Sequence, residues 1–153
     1  SPLHQPETHH HRRRVIRAAE LRHSVMRAGI QSSVRFLGFV SLDTLRVFYA
    51  SATAFLFPSL YEGFGLPPLE AMAHGTPVIT SNLSSMPEVV GDAAVLVKPQ
   101  NVFDIARGLR QVLLDDDFRR DLGARGRRQA EGYSWDDTAQ RVLNTYRRVT
   151  SER

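Results

Sequence analysis

Cysteine is absent from the 153 residues, which removes a disulfide framework and a thiolate metal site from consideration. Lysine is nearly absent too: Lys98 stands alone, so arginine supplies almost all of the positive charge behind the formal net charge of +4. Long apolar runs are also missing. No stretch approaches the roughly 18 residues that cross a bilayer, and Ser1–Arg14 is polar where a secretion signal is apolar. The expected location is therefore cytoplasmic.

Arginine excess serves nucleic acid, anionic lipid or phosphate ligands, and its distribution chooses among them. Arg12, Arg13 and Arg14 follow His9, His10 and His11, and the later arginines alternate with Asp and Glu, the pattern of solvated helix faces. Peripheral contact with an anionic membrane surface ranks second, and nucleic acid is not taken as a partner. Three adjacent histidines in a polar tail lack ligand geometry, so no metal site is expected. The composition, 42% hydrophobic and 24% charged, suits one globular core. Residues 1–14 read as a polar tail and 15–153 as the domain.

Short apolar runs bounded by Gly, Pro, Ser or Asn predict strands at Val34–Phe39, Ala54–Pro58, Pro77–Ser81 and Ala94–Val97, buried on both faces as in a parallel sheet. Between them lie helical segments with legible starts. Ser41 precedes Leu42–Ala50, and Ser85 with Glu88 has the spacing of a capping box. Asn101 opens Val102–Leu114, whose Val102, Ile105, Leu109, Val112 and Leu113 share one face. Ser134 with Asp137 opens a last helix through Trp135, Val142, Leu143, Tyr146 and Val149. Gly29 and Gly75 are placed to end helices in the left-handed conformation. Phe48, Tyr49, Phe103 and Trp135 are expected to serve packing, and His74 to sit near a helix carboxyl terminus rather than act as a base. The fold class is α/β, a Rossmann-like parallel sheet with flanking helices.

Chemistry concentrates between Phe57 and Thr80, which reads strand, glycine-containing loop, helix, strand. Gly63 and Gly65 let backbone approach a ligand, and Pro67 suits a first helical turn. The amides from about Gly65 to Leu69 lack intrahelical partners, the arrangement that binds phosphate. The loop leaves the carboxyl end of a strand, where open parallel sheets hold ligands. Glu62 and Glu70 flank it. A carboxylate accepts two hydroxyl hydrogen bonds, so Glu70 suits a ribose diol and Glu62 the hydroxyls of a sugar; the alternative is that Glu62 caps the loop and Glu70 is a solvated helix residue.

The segment resembles the retaining glycosyltransferases of family 4, of GT-B fold, whose E-x7-E signature is matched by Glu62 and Glu70. The likeness extends through Val34–Val40, Leu45–Ala50, Phe57–Thr80, Ser84–Ala94 and Tyr133–Trp135. It is similar above all to members that transfer mannose or related hexoses. The resemblance implies that Glu62 holds hydroxyls of the donor sugar at the reacting centre. The amides of Gly63, Phe64, Gly65 and Leu66 would hold diphosphate and sugar, Glu70 the ribose, and Val40 the base. It implies a GDP- or UDP-linked donor, no metal or other cofactor, and amides and basic side chains that neutralise the leaving diphosphate.

The resemblance also implies parts not found in these residues: two earlier strands, a basic pair and an amino-terminal acceptor domain. This chain then supplies the donor-binding part only, the unidentified saccharide or lipid-linked acceptor being held by that other domain; a lipid-linked acceptor would place the protein at the inner face of a membrane. The family's sheet order places the two strands between Val34–Phe39 and Ala54–Pro58, so these are expected to pair directly or Val34–Phe39 to stay unpaired, with marginal stability. Rival readings are a noncatalytic remnant or interaction module, and a related GT-B enzyme such as a sugar-nucleotide epimerase or glycogen-type synthase.

Overall fold

The computed structural model describes residues 19–151, so the polar tail at 1–14 with its histidines and arginines lies outside the described residues. The chain divides into two compact units, Ser1–Val40 and Ser41–Arg153.

Within the first unit, residues 19–27 form helix α1. Gly29 ends it at φ 67°, its amide donating to Met26 O while Ile30 N donates to Val25 O. This is the glycine stop expected from the sequence. The Arg22 guanidinium lies over the Phe36 ring, 5.0 Å from its centroid. Residues 34–39 form no strand. The expectation of a strand there is corrected: apolar alternation makes a strand only where a neighbour completes its ladder.

The second unit runs α2 (Leu42–Ser51), β1 (Phe55–Phe57), α3 (Leu66–Ala73), β2 (Val78–Ser81), α4 (Met86–Val90), β3 (Ala94–Val97), α5 (Val102–Leu114), α6 (Asp116–Glu131) and α7 (Trp135–Ser151). The strands pair in parallel in the order β1-β2-β3, with Leu56 opposite Ile79 and Ile79 opposite Val95. Successive side chains point to opposite faces, and two cores result. Phe55, Val78, Ala94 and Leu96 pack with Tyr49, Leu69, Met72 and Val89 of α2, α3 and α4. Leu56, Ile79, Val95 and Val97 pack with Ile105, Leu109, Val112 and Leu122 of α5 and α6. Each fully buried aliphatic chain contributes about 1.5–3 kcal/mol relative to exposure. These opposed apolar faces hold the helices on both sides of the sheet.

Helix starts follow their sequence signals with one exception. Ser41 Oγ accepts from Thr44 N, Asn101 Oδ1 from Phe103 N and Asp104 N, and Ser134 Oγ from Asp137 N. Ser85 precedes α4 but makes no side-chain cap; its hydroxyl is committed elsewhere, as described below. Three packing expectations are also corrected, the first being Phe48, which is 46% exposed while its neighbour Tyr49 is the buried residue of α2. Trp135 is 75% exposed and Phe103 87% exposed, because the apolar stripe of α7 buries no residue and Phe103 lies in the outward first turn of α5.

Candidate active site

Because β1 and β2 are parallel neighbours, the loops that follow them leave the same edge of the sheet. They meet there. The loop after β1 carries Glu62, Gly63 and Gly65 into α3, and the loop after β2 carries Ser84 and Ser85 into α4. Buried Thr80 anchors the pair of strands by donating from Oγ1 to Phe57 O at 2.9 Å.

Glu62 is half-buried, and its Oε1 accepts from Ser59 Oγ at 2.9 Å, leaving Oε2 available for a hydroxyl. Its amide donates to Ser84 Oγ, so the free donors begin one residue later. Among the described residues no hydrogen bond engages the amides of Gly63, Phe64, Gly65 and Leu66. The sequence expectation of free amides as far as Leu69 is narrowed: Pro67 and Pro68 have no N–H, and Leu69 N reaches Gly65 O at 3.5 Å. Four consecutive amides therefore remain without a partner, at the start of a helix whose dipole points the same way, an arrangement chemically suited to an anion. Gly65 is required here. Its φ is 119°, and a Cβ would stand 2.3 Å from Met86 Cε.

Glu70 lies on the exposed side of α3, where its Oε2 accepts from the Tyr49 hydroxyl at 3.1 Å. Tyr49 serves packing as expected, buried with its ring edge-on to Phe55, but its hydroxyl also holds a carboxylate. No sequence spacing signals this, since the partners are 21 residues apart on different helices. His74 caps α3, and its Nδ1 faces Glu70 O at 2.8 Å, a helix-end role as expected. Val40 belongs to the first unit and the other six residues named by the sequence belong to the second.

Burial first, then the charge and hydrogen bond of Glu70, push the Tyr49 phenol up to about 12. An unfolded chain ionises its tyrosines near about 10, so the folded state holds this proton more tightly. The stabilisation is complete below pH 10 and is lost as pH rises through about 12. Melting temperature followed across that window therefore falls more steeply for the native chain than for Tyr49→Phe; parallel curves would show that the phenol does not face the carboxylate.

Two hollows compete for attention. One of about 490 Å³ is lined by Phe64, Leu66, Leu69, Glu70, Tyr133 and Trp135, and so adjoins the loop and carries one of its two carboxylates. It gives exposed Trp135 a place beside the site. The larger, of about 590 Å³, opens near Thr53, Gly75 and Pro77, at the amino ends of β1 and β2. Its arginines are already engaged: Arg119 pairs with Asp116 at 2.7 Å, Arg120 pairs with Asp117, and Arg127 donates to His74 O at 3.1 Å. Parallel sheets place ligands at the carboxyl ends, and the free amides are there.

The description "Glycosyl transferases group 1" matches residues 17–129. The chain belongs to this glycosyl transferase family. It is 46% identical over 114 residues to O-antigen chain mannosyltransferase B of Escherichia coli, a match covering 74% of this chain and 30% of that protein. Among solved structures, sucrose-phosphate synthase from Thermosynechococcus elongatus superposes with a TM-score of 0.81 at 29% identity, over 97% of this chain and 37% of that one. The C-terminal domain of a glycosyl transferase group 1 family protein (LpcC) from Francisella tularensis gives 0.71 at 29% identity, covering 78% of this chain and 63% of that one. The glycosyl transferase chain thus spans 30% of the length of the curated relative.

Proposed function

We propose that the chain is the donor-binding part of a family 4 hexosyltransferase that takes a hexose, mannose foremost, from a GDP- or UDP-linked donor without a metal and with retention of configuration. The observation that carries this reading is the run of four free amides flanked by Glu62 and Glu70 at the carboxyl edge of β1 and β2. Likeness to a named mannosyltransferase at 46% identity supports the choice of sugar.

In this reading the amides of Gly63, Phe64, Gly65 and Leu66 take the diphosphate and part of the sugar. Ser59 holds one oxygen of Glu62, directing the other at a hexose hydroxyl beside the reacting carbon. Tyr49 leaves Glu70 free on one oxygen for the ribose diol. In the transfer the bond from the anomeric carbon to the phosphate oxygen breaks as the acceptor oxygen bonds to that carbon on the same face, and the acceptor proton passes to the leaving phosphate. Charge developing on that phosphate is met by amides already aimed at it, so little reorganisation accompanies the step. The acceptor, a saccharide or lipid-linked saccharide, belongs to a second domain. A cytoplasmic position at the inner membrane face accompanies a lipid-linked acceptor.

The test uses the full-length polypeptide that carries these residues. UDP or GDP raises its melting temperature, and Glu70→Ala raises the dissociation constant of the nucleotide by about 10- to 100-fold, the loss of hydrogen bonds to a charged group. If neither nucleotide shifts the melting temperature, the donor-binding reading is rejected.

A further inference from the structure

Ser84 is the only non-glycine residue at positive φ among the described residues, at 58°, a conformation that costs a side-chain-bearing residue on the order of 1 kcal/mol or more. Its hydroxyl is what that conformation positions. Ser84 Oγ donates to Glu62 O at 2.6 Å and accepts from Glu62 N at 3.3 Å. The neighbouring Ser85 Oγ stands 2.6 Å from Phe64 O and 3.1 Å from Glu62 O. This contact replaces the helix cap that its sequence spacing suggests.

The consequence follows from peptide geometry. No described peptide bond is cis, and in a trans peptide the carbonyl and the following N–H point in opposite directions. Holding Glu62 O therefore turns Gly63 N–H away from the serines, and holding Phe64 O does the same to Gly65 N–H. Both carbonyls face one hydroxyl, that of Ser85, so both amides are turned away from it. Gly65 is moreover a buried residue whose amide has no partner among the described residues, a condition that is unfavourable until an acceptor arrives.

We propose that Ser84 and Ser85 are positioning residues for the donor diphosphate: they fix the carbonyls of Glu62 and Phe64 and so direct the amides of Gly63 and Gly65 together at phosphate oxygens. This rests on the donor-binding reading and adds to it a second strand-to-helix loop that touches no substrate. Pre-aimed donors gain over mobile ones because no ordering is left for the binding step.

The experiment measures dissociation constants in the full-length polypeptide for UDP or GDP, whichever binds, and for the matching nucleoside. Ser85→Ala raises the diphosphate constant about 10-fold and leaves the nucleoside constant unchanged, while Ser85→Thr, which keeps the hydroxyl, restores it. Ser84→Gly, which removes the hydroxyl while accepting the positive φ, shows the same selective loss without requiring a strained alanine. Equal weakening of both ligands, or no weakening of either, overturns the proposal. If Glu70→Ala weakens binding while the serine variants do not, this inference alone falls; if the native protein binds no nucleotide, it falls together with the donor-binding reading.

Discussion

Gly123→Ala lowers the melting temperature by about 6–12 °C, a destabilisation of about 3 kcal/mol. Helix propensity alone forecasts the opposite, since alanine in a helix interior is favoured over glycine by about 1 kcal/mol. The decision lies with one distance: a Cβ on Gly123 would stand 2.5 Å from Gly75 O. A flexible side chain at that position would swing aside, but this is backbone, and it is tied. Gly75 N donates to Met72 O and Thr76 N to Ala71 O, closing α3 against the start of β2. Relief requires α6 to move off α3, loosening Leu122 and Met72, both buried. The exposed neighbour makes the comparison: Ala124→Gly costs only the propensity difference of about 1 kcal/mol. A melting temperature raised by Gly123→Ala would mean that α6 does not lie against this turn.

The same contact explains which parts of the fold were legible in the sequence. β1, β2 and β3 fall within a residue or two of their apolar runs, because strands buried on both faces announce themselves by composition. Helix α6 has no such announcement. It meets its neighbours through Gly123 and Gly126, against Gly75 O and Met72, and through few large apolar residues, so its charged sequence shows no apolar stripe. Yet it is this helix that fixes the carboxyl end of α3, the helix whose other end carries the candidate site. Residues 34–39 err in the other direction, with strand composition but no strand. At the site itself Glu62, Glu70 and the glycine loop are readable from local spacing. Tyr49, Ser84 and Ser85 are not, since each acts on a residue about twenty positions away through a single hydroxyl.

Gly65→Ala separates the two ways in which the loop can serve a donor. In the full-length polypeptide it weakens nucleoside diphosphate binding by more than about 100-fold, equivalent to losing one or two amide hydrogen bonds to a charged group, and it costs about 2 kcal/mol of stability through its positive φ and the contact with Met86. Met86 is fully buried, so its terminal methyl has little room to retreat, and the loop shifts instead. Gly63→Ala is the comparator, because a Cβ there meets nothing within 4 Å and its φ is not in the left-handed region; it leaves stability unchanged. If Gly65→Ala melts lower but binds the diphosphate as tightly as the native protein, the amides are not the phosphate ligands and Gly65 is present only to let the loop pass Met86. If binding is lost beyond what the fall in stability explains, glycine is required at this position because only glycine brings an unpartnered amide to the phosphate while its Cα lies against a buried methionine.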